Sequence, residues 1–273
     1  MWHRKPIVAG SFYPSSPEQI KRGIDGYLND ASKKDLKGEI LGVICPHAGY
    51  MYSGPVAAYS YKQLLGSDVE LVIVMAPSHQ ARFSGASVID SGIYETPLGQ
   101  VEIDEKIGEA LLKETHFSFI KEAHSAEHSL EVQVPFLQHV LKDFKIVPII
   151  VGSYDINSSR AIAEGLYKCI KNEKRKFIVV LSTDLSHYHS YEAAKKIDEA
   201  YIEALRLVDE EKLDSVIAMN KAEACGHGPV MAGIALCKKF GADRIDILHY
   251  ANSGDTKGSK SEVVGYLSAA ILK

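Results

Sequence analysis

Short apolar runs alternate along this chain with stretches whose apolar positions recur every three or four residues, the rhythm of a layered α/β fold. Residues 40–45, 71–75, 145–151 and 177–181 read as buried strands, and 245–250 and 262–271 close the chain as two more. Between them the helical spacing predicts helices over 16–29, 55–65, 104–115, 158–171, 191–207 and 209–219, with another reaching about residue 240. The first is punctuated most clearly, because Ser16-Pro17-Glu18-Gln19 supplies an N-cap, a proline at the first helical position and a capping-box glutamine. Residues 125–141 carry Leu130, Val134, Leu137 and Leu141 at helical spacing, with Pro135 expected to kink the helix. Residues 85–103, rich in turns, read as an antiparallel excursion, and Asn252-Ser253-Gly254-Asp255 as a loop. No internal repeat or linker interrupts the pattern, so one domain spanning 1–273 is expected.

Against this frame the polar chemistry has a regular position. His47 follows one apolar run, His79 another, and Asp184 and His187 a third, so each lies just beyond the carboxyl end of a strand. In open α/β sheets that edge is where ligands bind. Cys225 precedes a helix N-terminus, where the helix dipole favours a thiolate, and Gly226 and Gly228 are expected to let the backbone approach a ligand closely. Two imidazoles and one thiolate form a borderline-soft donor set suited to iron, copper or zinc, with a coordination position left open. Asp184 and His187 then read as acid/base groups beside the metal. His128 and Glu131, three apart on one helix, are further candidates for the same cleft, as is His227.

His124-Ser125-Ala126-Glu127-His128 matches the H-x-x-E-H pattern of inverted zinc peptidases. With Ser125 as the N-cap, His124 falls outside the helix and the two histidines cannot share a face. No G-x-S-x-G or Walker A motif occurs.

Charge and composition narrow the partners. A net charge of −4 and a pI near 6.3 give no global attraction to nucleic acid or anionic membrane. No apolar run approaches the roughly 20 residues of a membrane span, and the N-terminus lacks a secretory apolar core, so a cytoplasmic protein is expected. The cysteines at 45, 169, 225 and 237 form no CxxC pair or dense framework, which argues against a disulfide scaffold. Cys169 and Cys237 read as core fillers within helices. A small molecule or peptide is the expected ligand, and the oligomeric state is left open.

Several short motifs in fixed order then resemble the Memo family: Ala9-Gly10-Ser11-Phe12-Tyr13-Pro14, Pro46-His47-Ala48-Gly49-Tyr50, Pro77-Ser78-His79, Glu127-His128-Ser129-Leu130-Glu131, Ser182-Thr183-Asp184-Leu185-Ser186-His187-Tyr188, Cys225-Gly226 and Asn252-Ser253-Gly254-Asp255. The resemblance implies a three-layer α/β/α core with a mixed, mostly parallel sheet, similar to class III extradiol dioxygenases. It implies metal positions at His47, His79 and Cys225, with Asp184 and His187 beside them. The related dioxygenases hold Fe(II) with two histidines and a carboxylate, and Cys225 stands where that carboxylate would be. Animal members are implicated in cell motility driven by receptor tyrosine kinases. Three functions follow as expectations: a redox metalloenzyme using iron or copper, a non-catalytic peptide- or ligand-binding adaptor, and a zinc-dependent hydrolase.

Overall fold

A computed structural model describes residues 2–273. Its strands are β1 (Trp2–Arg4), β2 (Ile40–Cys45), β3 (Leu71–Pro77), β4 (Ala86–Val88), β5 (Gly92–Thr96), β6 (Gly99–Glu102), β7 (Phe117–Ser118), β8 (Lys145–Val151), β9 (Phe177–Ser182), β10 (Asp184–His189), β11 (Arg244–Asn252) and β12 (Val263–Leu272). The helices are α1 (Pro17–Asp30), α2 (Tyr50–Leu64), α3 (Glu105–Leu111), α4 (Lys121–Ser125), α5 (His128–Glu131), α6 (Gln133–Val140), α7 (Ile156–Ile170), α8 (Tyr191–Leu205), α9 (Glu210–Ala218), α10 (His227–Lys239) and α11 (Ser253–Thr256).

The main sheet is mixed. β2, β9, β3 and β8 lie side by side and parallel at its centre, with β12 antiparallel beyond β2 and β4 antiparallel beyond β8. Parallel strands are buried on both faces, which explains their nearly unbroken apolar sequences. Alternate residues serve opposite layers: Ile73 and Met75 pack with α7 and α10, while Val72, Val74 and Ala76 pack with α1, α2 and α6. The result is helices on both faces of a central sheet, as the resemblance implies.

β12 pairs along its length with β11, and its first half also pairs with β10 while its second half pairs with β2. β10 therefore continues past the end of β2 along the same edge of β12. A small separate sheet joins β1 to the β5–β6 hairpin.

Several local expectations hold. Ser16 caps α1 with Pro17 in its first turn, Asp104 caps α3, and α9 starts where expected, after Asp209. Cys237 is buried in α10, and Cys169 is half-buried in α7. Others are corrected. The single helix expected over 125–141 is two short ones, α5 and α6, with α4 ending at Ser125, and Glu127 rather than Ser125 supplies the cap of α5. Pro135 causes no kink because it lies in the first turn of α6, where its missing N–H has no intrahelical partner to lose. α2 begins at Tyr50, five residues before the expected start, and residues 253–256 are a short helix capped by Asn252. Among the described residues no helix is long and apolar enough to cross a membrane.

Candidate metal centre

Because β2, β9 and β3 are parallel, their carboxyl ends open onto one edge of the sheet, and that edge delivers His47, Asp184 and His79. α5 adds His128, and the turn before α10 adds Cys225. All five, with His187, line a cleft of about 760 Å³. One ring nitrogen from each of His47, His79 and His128 lies within 4.8 Å of the other two.

Hydrogen bonds fix how these rings present themselves. His47 Nδ1 is 2.8 Å from Ser182 Oγ. That hydroxyl donates its proton to the Ser129 carbonyl and accepts from Gln133 Nε2, so toward His47 it offers only a lone pair. His47 must carry its proton on Nδ1, which leaves the Nε2 lone pair for the cleft. Burial, then the neighbouring His79, His128 and His187, hold its pKa well below the ordinary histidine value. The ring is therefore neutral and ligand-competent.

His79 is set the same way by a different partner. Its backbone N–H and its Nδ1 reach the two oxygens of Glu127 at 2.7 and 2.8 Å. Glu127 also accepts from the Ser129 amide and hydroxyl, so its carboxylate faces donors alone. Burial by itself would raise the Glu127 pKa, but these hydrogen bonds outweigh it and hold the carboxyl below its usual value. A carboxylate holding Nδ1–H of a histidine whose Nε2 faces a ligand is the recurrent second layer of metal sites. The side chain of His47 is 3% exposed, whereas those of His79 and His128 keep 30% and 21%, so the accessible face lies on their side.

Cys225 Sγ sits 3.1 Å from His47 Nε2 and accepts from the Asp184 amide at 3.3 Å. The expected thiolate is not what this setting favours: burial, and then the Asp184 carboxyl, push the thiol up despite the adjoining helix N-terminus. Asp184 accepts from the His47 amide at 2.7 Å, and burial raises its pKa to about 7. His187 also lines the cleft, its pKa lowered by burial. The Asp184 carboxyl can thus exchange a proton near neutrality within this cavity.

Two candidates lie elsewhere. Glu131 is fully buried and turned toward the N-terminal segment, where it pairs with Arg4 and accepts from the amides of Ile7 and Val8 and from Tyr13 Oη. His227 is buried against Tyr201, with Nε2 3.5 Å from Asp214. The glycines beside it serve the protein's own packing rather than a ligand: a Cβ on Gly226 would lie 2.2 Å from the Ser182 carbonyl oxygen, and one on Gly228 2.3 Å from that of Ser153. His124, the other half of the peptidase-like pattern, bonds Ser87 on α4's side of the fold, so the two histidines do share no helix. The orienting roles of Glu127, Ser182 and Gln133 have no counterpart in the sequence reading. Glu127 and Ser182 do fall inside the motifs that carry the family resemblance, but nothing in their spacing assigns them this role.

A family model described as "Memo-like protein" matches residues 4–270. Among similar proteins, a MEMO1 family protein of Sulfolobus acidocaldarius is 39% identical over 278 residues, covering 97% of this chain and 98% of its own. A MEMO1 family protein of Methanothermobacter thermautotrophicus is 38% identical over 271 residues, covering 96% and 98%. The crystal structure of an uncharacterized protein, JW3007, from Escherichia coli K12 superposes with a TM-score of 0.53 at 15% identity, over 85% of this chain and 100% of that one. That likeness extends to the fold alone. By sequence over nearly its whole length, the chain belongs to the Memo-like protein family.

Proposed function

We propose that this protein is a transition-metal-dependent enzyme acting on a small molecule, with iron or copper held by His47, His79 and His128. The observation that carries this reading is the pinning of Nδ1 on two of the three rings, by Ser182 and by Glu127, which leaves Nε2 as their free lone pair in a cluster where one nitrogen of each ring lies within 4.8 Å of the others. Imidazoles so arranged fit iron, copper and zinc, and they fit magnesium or calcium poorly. Cys225 stands close enough to His47 Nε2 to join them once its proton leaves, which keeps the ligand set implied by the resemblance within the same proposal. When bound, such an ion supplies a Lewis-acidic and redox-active centre. The chain's own residues do the rest: Asp184 holds or releases a proton near neutral pH, and His187, its pKa lowered by burial, stands beside it as a base.

The third imidazole favours a second reading, a zinc-dependent hydrolase, because three histidines with an open position also suit water activation by zinc. Elemental analysis of untagged, anaerobically purified protein separates the two. About one equivalent of iron or copper supports the first and about one of zinc the second. His79→Ala should empty the site in either case. Undiminished metal content in that variant would overturn both.

A further inference from the structure

We propose that Tyr188 selects the ligand of this cleft by laying its ring over a flat, apolar group on a small molecule whose polar end meets the histidines; this rests on the metal-dependent reading above. In a regular strand, consecutive side chains point to opposite faces. His187 and Tyr188 are consecutive in β10, yet both line the cleft. The backbone achieves this by breaking the strand. Pairing with β12 shifts register between Asp184 and His187 and again between His187 and His189. Tyr188 itself takes φ +62°, the left-handed region that side chains with a Cβ avoid.

The other non-glycine residues with positive φ among those described have an ordinary reason for it. Val208 and Asn220 follow the ends of α8 and α9, where left-handed residues stop helices. Tyr188 has no such reason, and its own packing does not compensate the strain. The residue is 73% exposed, and its ring meets His187 edge-on at 5.8 Å between centroids. Strain of this kind persists where it serves a site. Here it brings an uncovered aromatic face to the mouth of a cavity that Phe12, Tyr52 and Tyr266 also line. Phe12 meets His128 at 4.8 Å, so aromatic wall and nitrogen floor are contiguous. A ligand with a flat apolar body and a donor head satisfies both.

Two hydroxamates test this on Co²⁺-loaded protein, because benzohydroxamate and acetohydroxamate share a metal-binding head and differ by one ring. The wild type should prefer benzohydroxamate. Tyr188→Ala should bind acetohydroxamate within about twofold of wild type while losing the preference by about three- to tenfold, the range of one aromatic contact. Tyr188→Phe should keep the preference. Tyr188→Gly should lose it and also raise the melting temperature, because glycine relieves the left-handed strain. An equal preference in wild type and Tyr188→Ala, or none in wild type, overturns the role of Tyr188 and leaves the metal reading standing. Failure of the wild type to take up Co²⁺ overturns the metal reading, and this one with it.

Discussion

Replacing Glu127 by glutamine removes a charge without changing shape, and it strikes the carboxylate that sets the His79 ring. Glu127 accepts from the His79 amide on one oxygen and from His79 Nδ1, the Ser129 amide and the Ser129 hydroxyl on the other, all within 3.1 Å. A glutamine oxygen can occupy only one of those positions. If its NH₂ faces Nδ1, the ring must move its proton to Nε2, which blocks the ligand lone pair, and the Ser129 amide loses its acceptor. If its NH₂ faces the His79 amide instead, two donors confront each other in a buried space. Loss of such an orienting partner typically weakens metal binding about 10- to 100-fold, or roughly 1.4–2.8 kcal/mol. An unmatched buried donor costs about 1–3 kcal/mol of stability in addition. Co²⁺ titration followed by its visible absorption, with a competing chelator, gives the affinity, and thermal melts give the stability. Glu131→Gln is the control, because it removes a buried carboxylate from the one-turn helix that Glu127 caps without touching His79. Glu127→Gln binding Co²⁺ within twofold of wild type, or weakening no more than Glu131→Gln, would refute the reasoning.

Glu131→Ala should lower stability by about 3–5 kcal/mol, since it strands the buried Arg4 guanidinium; denaturant melts measure it, and a loss under about 1 kcal/mol contradicts the buried pairing. Asp184 binds its proton more tightly in the folded chain than in the unfolded one, so its stabilising contribution is complete below about pH 4 and is lost as the pH rises through about 7. In metal-free protein, Asp184→Asn should therefore flatten a decline of up to about 1.4 kcal/mol per pH unit across that window, and an unchanged slope would show that the carboxyl is not so raised. Gly226→Ala should cost about 1–3 kcal/mol, because its Cβ meets the backbone oxygen of Ser182 and the Cys225 turn must shift; a melting curve matching wild type refutes the close approach. Loading metal at about pH 8 should release about one proton more per ion from the wild type than from Cys225→Ser if the Cys225 thiol becomes a ligand. Equal release from both proteins excludes the sulfur from the ligand set.

The layered fold was legible because it is written in local periodicity. β2, β3, β8 and β9 are apolar on both faces, and helices α1 and α3 announce their starts with Ser16 and Asp104. The gathering of His47, His79 and Asp184 was legible for the same reason. Parallel strands end at a common edge, so whatever follows each of them shares that edge. The division of residues 125–141 into α5 and α6 was not legible, since Leu130, Val134 and Leu137 keep a helical spacing across the break at Val132.

What periodicity leaves out is the direction in which a polar side chain is pulled, and that depends on partners far along the chain. His128 and Glu131 stand three apart on one turn of helix, and spacing alone sends both into the cleft. Glu131 turns away because Arg4, Tyr13 and two free amides of the N-terminal segment converge on it, offering a buried carboxylate four donors that the cleft lacks. The same logic acts on the rings. Ser182 decides which nitrogen of His47 is free, and Glu127 decides it for His79, across separations of 135 and 48 residues. A sequence therefore says which groups arrive at the edge of the sheet, whereas the hydrogen-bonded layer behind them determines which of those groups offer a lone pair to a metal.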